Sequence, residues 1–277
     1  MSRPLRIQAP GLTYHITARG NGQMKIFLDY IDRCRFLAIL AHIIQHFRLL
    51  CHAYCLMGNH YHLAATTTEA NLSRAIKQLN GDYAQWWNRR HRRVGHMVQG
   101  RFGSQIVQDH TYLRDVCRYI VLNPVRARMV PTPAKWRWSS YLATAGLIRA
   151  PSFLQCDVLL DLLSAGDPAD RAKRYREFVL DRDARFLRLP EDAILGDEAF
   201  VARFKALRAR VSREIPRAQG RPTLDAIFRA AITRPARNAA VVVAFRERYV
   251  LAEIARYLDV HPSTISKIVS AHRSVRS

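Results

Sequence analysis

Leu49-Leu50-Cys51-His52-Ala53-Tyr54-Cys55-Leu56-Met57-Gly58-Asn59-His60-Tyr61-His62-Leu63-Ala64-Ala65 reads as two apolar strands joined at Gly58-Asn59, the signature of a β-hairpin. Side chains two apart on a strand point to one face, so His60 and His62 stand side by side and could hold one divalent metal ion. Two histidines alternating with apolar neighbours also occur as ordinary packing or surface residues. The surrounding chain has to decide.

Upstream, Leu12 to Arg19 alternates larger and polar groups and stops at Gly20-Asn21-Gly22, a strand followed by a turn. Its single histidine, His15, reads as a packing or surface residue. From Tyr30 to Phe47, apolar residues fall at Ile31, Cys34, Leu37, Ala38, Ala41, Ile44 and Phe47, the spacing of a helix with one buried stripe. Downstream, Leu72, Ala75, Ile76, Leu79, Tyr83, Trp86 and Trp87 mark a second helix after Asn71 as N-cap, and Val98 to Val107 supplies a further strand. The order β-α-β-β-α-β predicts an α+β fold, a ferredoxin-like antiparallel sheet with helices on one face. Thr111 to Leu122 is a third helix that Pro124 should end, with Tyr119 and Asn123 four apart on one side and Tyr112 and Asp115 on the same side earlier.

His60-Tyr61-His62 resembles the His-hydrophobic-His (HUH) motif of single-tyrosine transposases that act on single-stranded DNA. Gln99-Gly100-Arg101-Phe102, Tyr119-Ile120-Val121-Leu122-Asn123-Pro124-Val125-Arg126-Ala127 and Trp136-Arg137-Trp138-Ser139-Ser140-Tyr141 resemble, in order and spacing, the REP-associated branch of that IS200-like family. The resemblance runs from about residue 10 to residue 145. It implies that Tyr119 is the nucleophile and that His60, His62 and a polar residue one turn after the tyrosine bind the metal. Here that residue is Asn123, where related transposases carry the longer Gln. Imidazole alone suits Zn, Ni or Cu, whereas the resemblance implies Mg or Mn. The expected product is a 5′-phosphotyrosine with a free 3′-hydroxyl, and the expected partner is single-stranded DNA with hairpin structure. Two rival readings are a non-catalytic hairpin-binding regulator and a metal-dependent nuclease that uses water. Trp136 and Trp138 read first as packing, with hairpin contact as the other use.

Composition agrees with a polyanionic partner. The 277-residue chain is 49% hydrophobic and carries a formal charge of +22, a field that concentrates nucleic acid. Residues 1–150 hold 21 basic and 6 acidic side chains, and residues 151–277 hold 23 and 16. The densest cluster is Asn88-Arg89-Arg90-His91-Arg92-Arg93, beside Trp86 and Trp87, a combination suited to phosphates and stacked bases. Arg89, Arg90, Arg92, Arg93 and Arg101 are therefore expected DNA contacts. Five cysteines without a CxxC pair suit a reducing cytoplasm, and Cys51-His52-x-x-Cys55 lacks a second half at zinc-like spacing. No apolar run reaches about 20 residues, which argues against membrane insertion.

Three segments are expected: a transposase-like domain over 1–150, a helical connecting region over 151–216, and a DNA-binding module over 217–277. Arg217 to Pro222 reads as a basic linker. Val250 to Leu258, the turn Asp259-Val260-His261 and the segment from Pro262 to Val269 resemble a helix-turn-helix, with Ser263, Thr264, Ser266 and Lys267 on the outer face of the second helix. Asp259 replaces the glycine common in that turn and tolerates a left-handed backbone better than most residues. Monomer and homodimer are both compatible with the sequence.

Overall fold

The computed structural model describes residues 6–108, 111–181, 194–214, 222–229, 231, 233–247 and 249–274, and the chain divides into two compact units, Met1–Ala209 and Arg210–Ser277. Among the described residues no helix is long and apolar enough to cross a membrane.

The first unit runs β1 (Thr13–Arg19), α1 (Tyr30–His46), β2 (Leu49–Leu56), β3 (His60–Thr67), α2 (Leu72–Arg90), β4 (Gly103–Val107), α3 (Thr111–Arg126), α4 (Tyr141–Thr144), α5 (Cys156–Asp161), α6 (Pro168–Leu180), β5 (Ile194–Leu195) and α7 (Glu198–Glu214). The sheet order is β2-β3-β1-β4-β5. The first four strands pair antiparallel, and β5 joins β4 in parallel. The sheet is therefore mixed, not wholly antiparallel as expected. The intervening helices supply the long crossover that a parallel neighbour requires. This strand lies in the stretch expected to be only a helical connection over 151–216, and residues 215–221, most of the expected linker, lie outside the described residues.

Both faces of the sheet are covered, which corrects the expectation of helices on one face. Tyr61, Leu63 and Ala65 of β3 join one core with Phe36, Leu40, Leu79 and Tyr83 of α1 and α2. Ala64 joins the other with Val116, Cys117, Ile120 and Val121 of α3. The even positions of β3, His60 and His62 among them, thus face α3. In β2 the pairing register slips between Cys51 and Ala53, a bulge at His52. The extra residue inverts the alternation, so Cys51 packs in the first core and Cys55 in the second.

Two expected boundaries move. The strand begins at Gly103, and Val98 makes only an isolated bridge to Gly20. Gly100 sits at φ 58°, which turns the chain between them. A Cβ on Gly103 would lie 2.5 Å from Thr17 Oγ1, so a side chain there would push the threonine hydroxyl aside. The helix, in turn, continues through Pro124 to Arg126. Proline removes the N–H that would reach the Ile120 carbonyl, and Asn123 Nδ2 covers that oxygen at 3.4 Å while bonding the Tyr119 carbonyl at 2.9 Å.

In the second unit, α8 (Leu224–Phe228), α9 (Arg234–Arg246), α10 (Leu251–Tyr257) and α11 (Pro262–Ser274) enclose Phe228, Val241, Ala244, Ile254, Ile265 and Val269. Thr223 and Thr233 cap α8 and α9 through their side chains. Asp259, in the turn between α10 and α11, has φ 51°.

Candidate active site

The site is built on three adjacent strands. In the β1–β3 register Thr17 lies opposite His62 and His15 opposite Ala64, while on the other side His15 lies opposite Gln105 of β4. His15 and His62 are therefore diagonal neighbours on one face. Their rings lie 3° from parallel, with His15 Nε2 and His62 Nδ1 2.9 Å apart. His15 Nδ1 lies 3.0 Å from Gln105 Oε1. His60, at the mouth of the hairpin, places its ring centroid 5.0 Å from that of His62 and its Nδ1 2.6 Å from Asn59 Oδ1. His15, read from the sequence as a packing or surface residue, lies beside His62 and Tyr119. The signal that could have found it is the β-α-β-β-α-β order, which lays the first strand beside the histidine strand.

Over this face α3 carries Tyr119. Val116, Cys117, Ile120 and Val121 are fully buried and fix the helix against β2 and β3, leaving Tyr119 half-buried at its edge. The phenol ring meets His15 and His62 edge-on, with centroids at 5.8 and 5.9 Å. Among the described residues nothing hydrogen-bonds its hydroxyl. Arg126, two turns later, holds its guanidinium carbon 4.6 Å from the ring centroid, a contact the sequence reading did not include. Tyr112 is packed against the same core.

Burial sets the protonation of the histidines. His62 is held well below the ordinary imidazole range by desolvation, then by His15, His60 and Arg126. Desolvation lowers His15 to about 4, and desolvation followed by Arg19 lowers His60. Neutral imidazole is the form that binds a metal. Asn59 Oδ1 can only accept, so His60 Nδ1 donates to it and Nε2 keeps its lone pair. The two histidines therefore fit a divalent ion by residue type, protonation and face. With Nδ2 of Asn123 engaged to the helix backbone, its Oδ1 is the atom left to bind.

The expected DNA contacts separate into groups. Arg89, Arg92, Arg93 and Arg101 are exposed. Arg90 is not an independent cation: it pairs with Asp29 at 2.7 Å and with the fully buried Asp32, which also takes His91 Nε2 at 2.9 Å. Asp29 and Asp32 form the N-terminal turn of α1, so this pairing ties that turn to the end of α2. Trp87 is 1% exposed and belongs to the core, which removes it as a stacking surface. Trp86 stays half-buried, with Arg90 and Arg35 5.6 and 6.0 Å from its ring. Trp136 bonds the Leu56 carbonyl through Nε1, and Trp138 meets the exposed Tyr30 at 5.2 Å with Arg137 about equally near both rings. In the second unit Ser263, Thr264 and Lys267 are exposed and Ser266 is partly so.

Parts of the chain are similar to a known family and to a solved structure. Residues 8–123 match the family model described as "Transposase IS200 like". A solved structure of a REP-associated tyrosine transposase bound to a REP hairpin aligns at 17% identity and TM-score 0.47, covering 69% of this chain and 100% of that one. No curated protein matches the chain. The matched segment, under half of the chain, is similar to the IS200-like transposases and holds His60, His62, Tyr119 and Asn123 together.

Proposed function

We propose that the protein nicks and rejoins single-stranded DNA at hairpin-forming repeats, with Tyr119 as nucleophile and His60, His62 and Asn123 Oδ1 as ligands of Mg or Mn. The observation that carries this reading is a half-buried tyrosine without a hydroxyl partner among the described residues, edge-on to His62 and His15, with His60 beside His62 on the same strand face. When bound, the ion supplies Lewis-acid polarisation of the scissile phosphate. Tyr119 Oη forms a bond to phosphorus as the bond to the 3′ oxygen breaks, and the phenolic proton is balanced by protonation of that leaving oxygen. One phosphate ester replaces another, so a second 3′-hydroxyl can reverse the step without an external energy source.

The remaining surfaces divide the binding work. Arg89, Arg92, Arg93 and Arg101 meet phosphates, and Tyr30, Trp138 and Arg137 offer rings and a cation to unpaired bases. Helices α10 and α11 act as a helix-turn-helix, with Ser263, Thr264, Ser266 and Lys267 toward the duplex stem. The left-handed turn residue Asp259 supports that reading. Hairpin preference rests on the motifs Gln99 to Phe102 and Trp136 to Tyr141. The test is incubation with labelled single-stranded DNA from the gene's own flanks in Mn: a covalent protein–DNA adduct that Tyr119→Phe abolishes is expected, and cleavage without an adduct would replace this mechanism with water attack.

A further inference from the structure

We propose that His15 and Gln105 are positioning residues that set the tautomer and aim of His62, so that its Nε2 always presents a lone pair to the site. The inference rests on the metal-binding reading above, but its physical content lies in a chain of two hydrogen bonds across three strands.

Gln105 Oε1 has lone pairs and no proton, so across 3.0 Å it can only accept, and His15 Nδ1 must donate. A neutral imidazole with hydrogen on Nδ1 has a bare Nε2. That nitrogen faces His62 Nδ1 at 2.9 Å, and a bond at this distance needs the proton on His62. His62 is thereby left with hydrogen on Nδ1 and a lone pair on Nε2. Reversing either ring would set two donors or two acceptors against each other, with His15 2% and His62 7% exposed and little water to relieve the clash.

The aim of the ring follows from the same chain. His15 is held from the opposite side by β4, where it lies directly across from Gln105, so the His62 imidazole is pinned at Nδ1 in a plane 3° from that of His15. His60 receives an equivalent instruction from Asn59 Oδ1, one residue away on its own chain. The two rings thus present the same nitrogen for different structural reasons: a local turn for His60 and a cross-sheet relay for His62. Partners of this kind behind a ligand commonly carry ~10–100-fold in metal affinity.

The test uses the full chain labelled with 15N-histidine, metal-free, in long-range 1H–15N correlation spectra, with the His62 resonances assigned by their loss in His62→Gln. Gln105→Met removes the acceptor at a half-buried surface position, and Gln105→Glu retains one. Wild type and Gln105→Glu should show His62 protonated on Nδ1, and Gln105→Met should show a mixture or the Nε2–H form. Titration with Mn alone should give ~10–100-fold weaker binding for Gln105→Met and near-wild-type binding for Gln105→Glu. An Nε2–H tautomer at His62 in the wild type, or a Gln105→Met protein unchanged in tautomer and affinity, overturns the proposal. A wild type with the Nδ1–H tautomer that binds no Mn leaves the relay standing and refutes the metal-binding reading instead.

Discussion

Replacing Arg89, Arg92 and Arg93 together by Gln separates cations that meet DNA from one that holds the fold. The three side chains are exposed, so the substitutions should leave the thermal midpoint nearly unchanged. If each meets one phosphate of a single strand, each contributes about 0.7 to the slope of log affinity against log salt, and the three together about 2. Between 50 and 200 mM salt this makes the affinity ratio of wild type to variant shrink roughly 20-fold. Arg90→Gln is the internal control. It removes the guanidinium partner of Asp29 and of the buried Asp32, leaving Asp32 with His91, so it should lower the thermal midpoint and leave the salt slope within error of wild type. The destabilisation has a pH signature. Hydrogen bonding from Arg90, then from the Asp32 backbone, holds Asp29 down to about 2 from an ordinary 3.8. A carboxylate with a depressed folded pKa stabilises above its unfolded pKa and loses that contribution as pH falls through the folded one. The gap in midpoint between wild type and Arg90→Gln should hold at pH 7 and narrow between about pH 4 and 2. Fluorescence anisotropy with labelled oligo-dT across a salt series, paired with thermal melts, reads both effects. An unchanged slope in the triple variant, or an equal loss of slope in Arg90→Gln, refutes the assignment.

Tyr119→Phe removes an oxygen that has no hydrogen-bond partner among the described residues, so cleavage and adduct should vanish while stability moves by less than about 0.5 kcal/mol in thermal melts. Transfer of the adduct to Tyr112 would show that the nucleophile was misassigned. His60→Ala and His62→Ala should each abolish Mn binding in titration calorimetry, but His62→Ala should also cost about 1–3 kcal/mol, because it leaves buried His15 Nε2 without its partner; equal stability of the two variants would contradict the buried pair. Deleting residues 217–277 should reduce affinity for a native hairpin more than for oligo-dT while cleavage of a short single strand persists, as gel-shift and cleavage assays can compare; equal loss on both substrates would remove the proposed role of α10 and α11 in recognition.

Local pattern made most of the sheet readable in the sequence. The hairpin of β2 and β3 and the helices α1 and α2 occupy nearly the residues that alternation and helical spacing mark, because each buries one face against a common core. What pattern could not supply were non-local features. β5 is two residues long and exists only because β4 offers an open edge. The bulge at His52 leaves no compositional trace, yet it decides which sulfur faces which core. Pro124 announces a helix end, but Asn123 covers the carbonyl left without its donor and lets the helix run one residue pair further.

The site divides along the same line. Strand spacing pairs His60 with His62 and helix spacing pairs Tyr119 with Asn123, and the family resemblance is what joins the two pairs. His15, Gln105 and Arg126 reach the same place through strand order and helix docking. Nothing within ten residues of His15 hints that its neighbours are His62 and Gln105, 47 and 90 positions away. In the proposed site Asn123 stands where the resemblance puts a longer amide. Its Nδ2 is anchored to the Tyr119 carbonyl at 2.9 Å, so the side chain is stiffened by the residue whose chemistry it would assist. A Gln at this position would reach further but would lose that anchor. Asn123→Gln should therefore bind Mn at least as well as wild type while loosening the last turns of α3, and hydrogen exchange of the Arg126 and Ala127 amides would report the change. Slower exchange there, or loss of Mn binding, would mean that the asparagine acts through its length and not through its anchor.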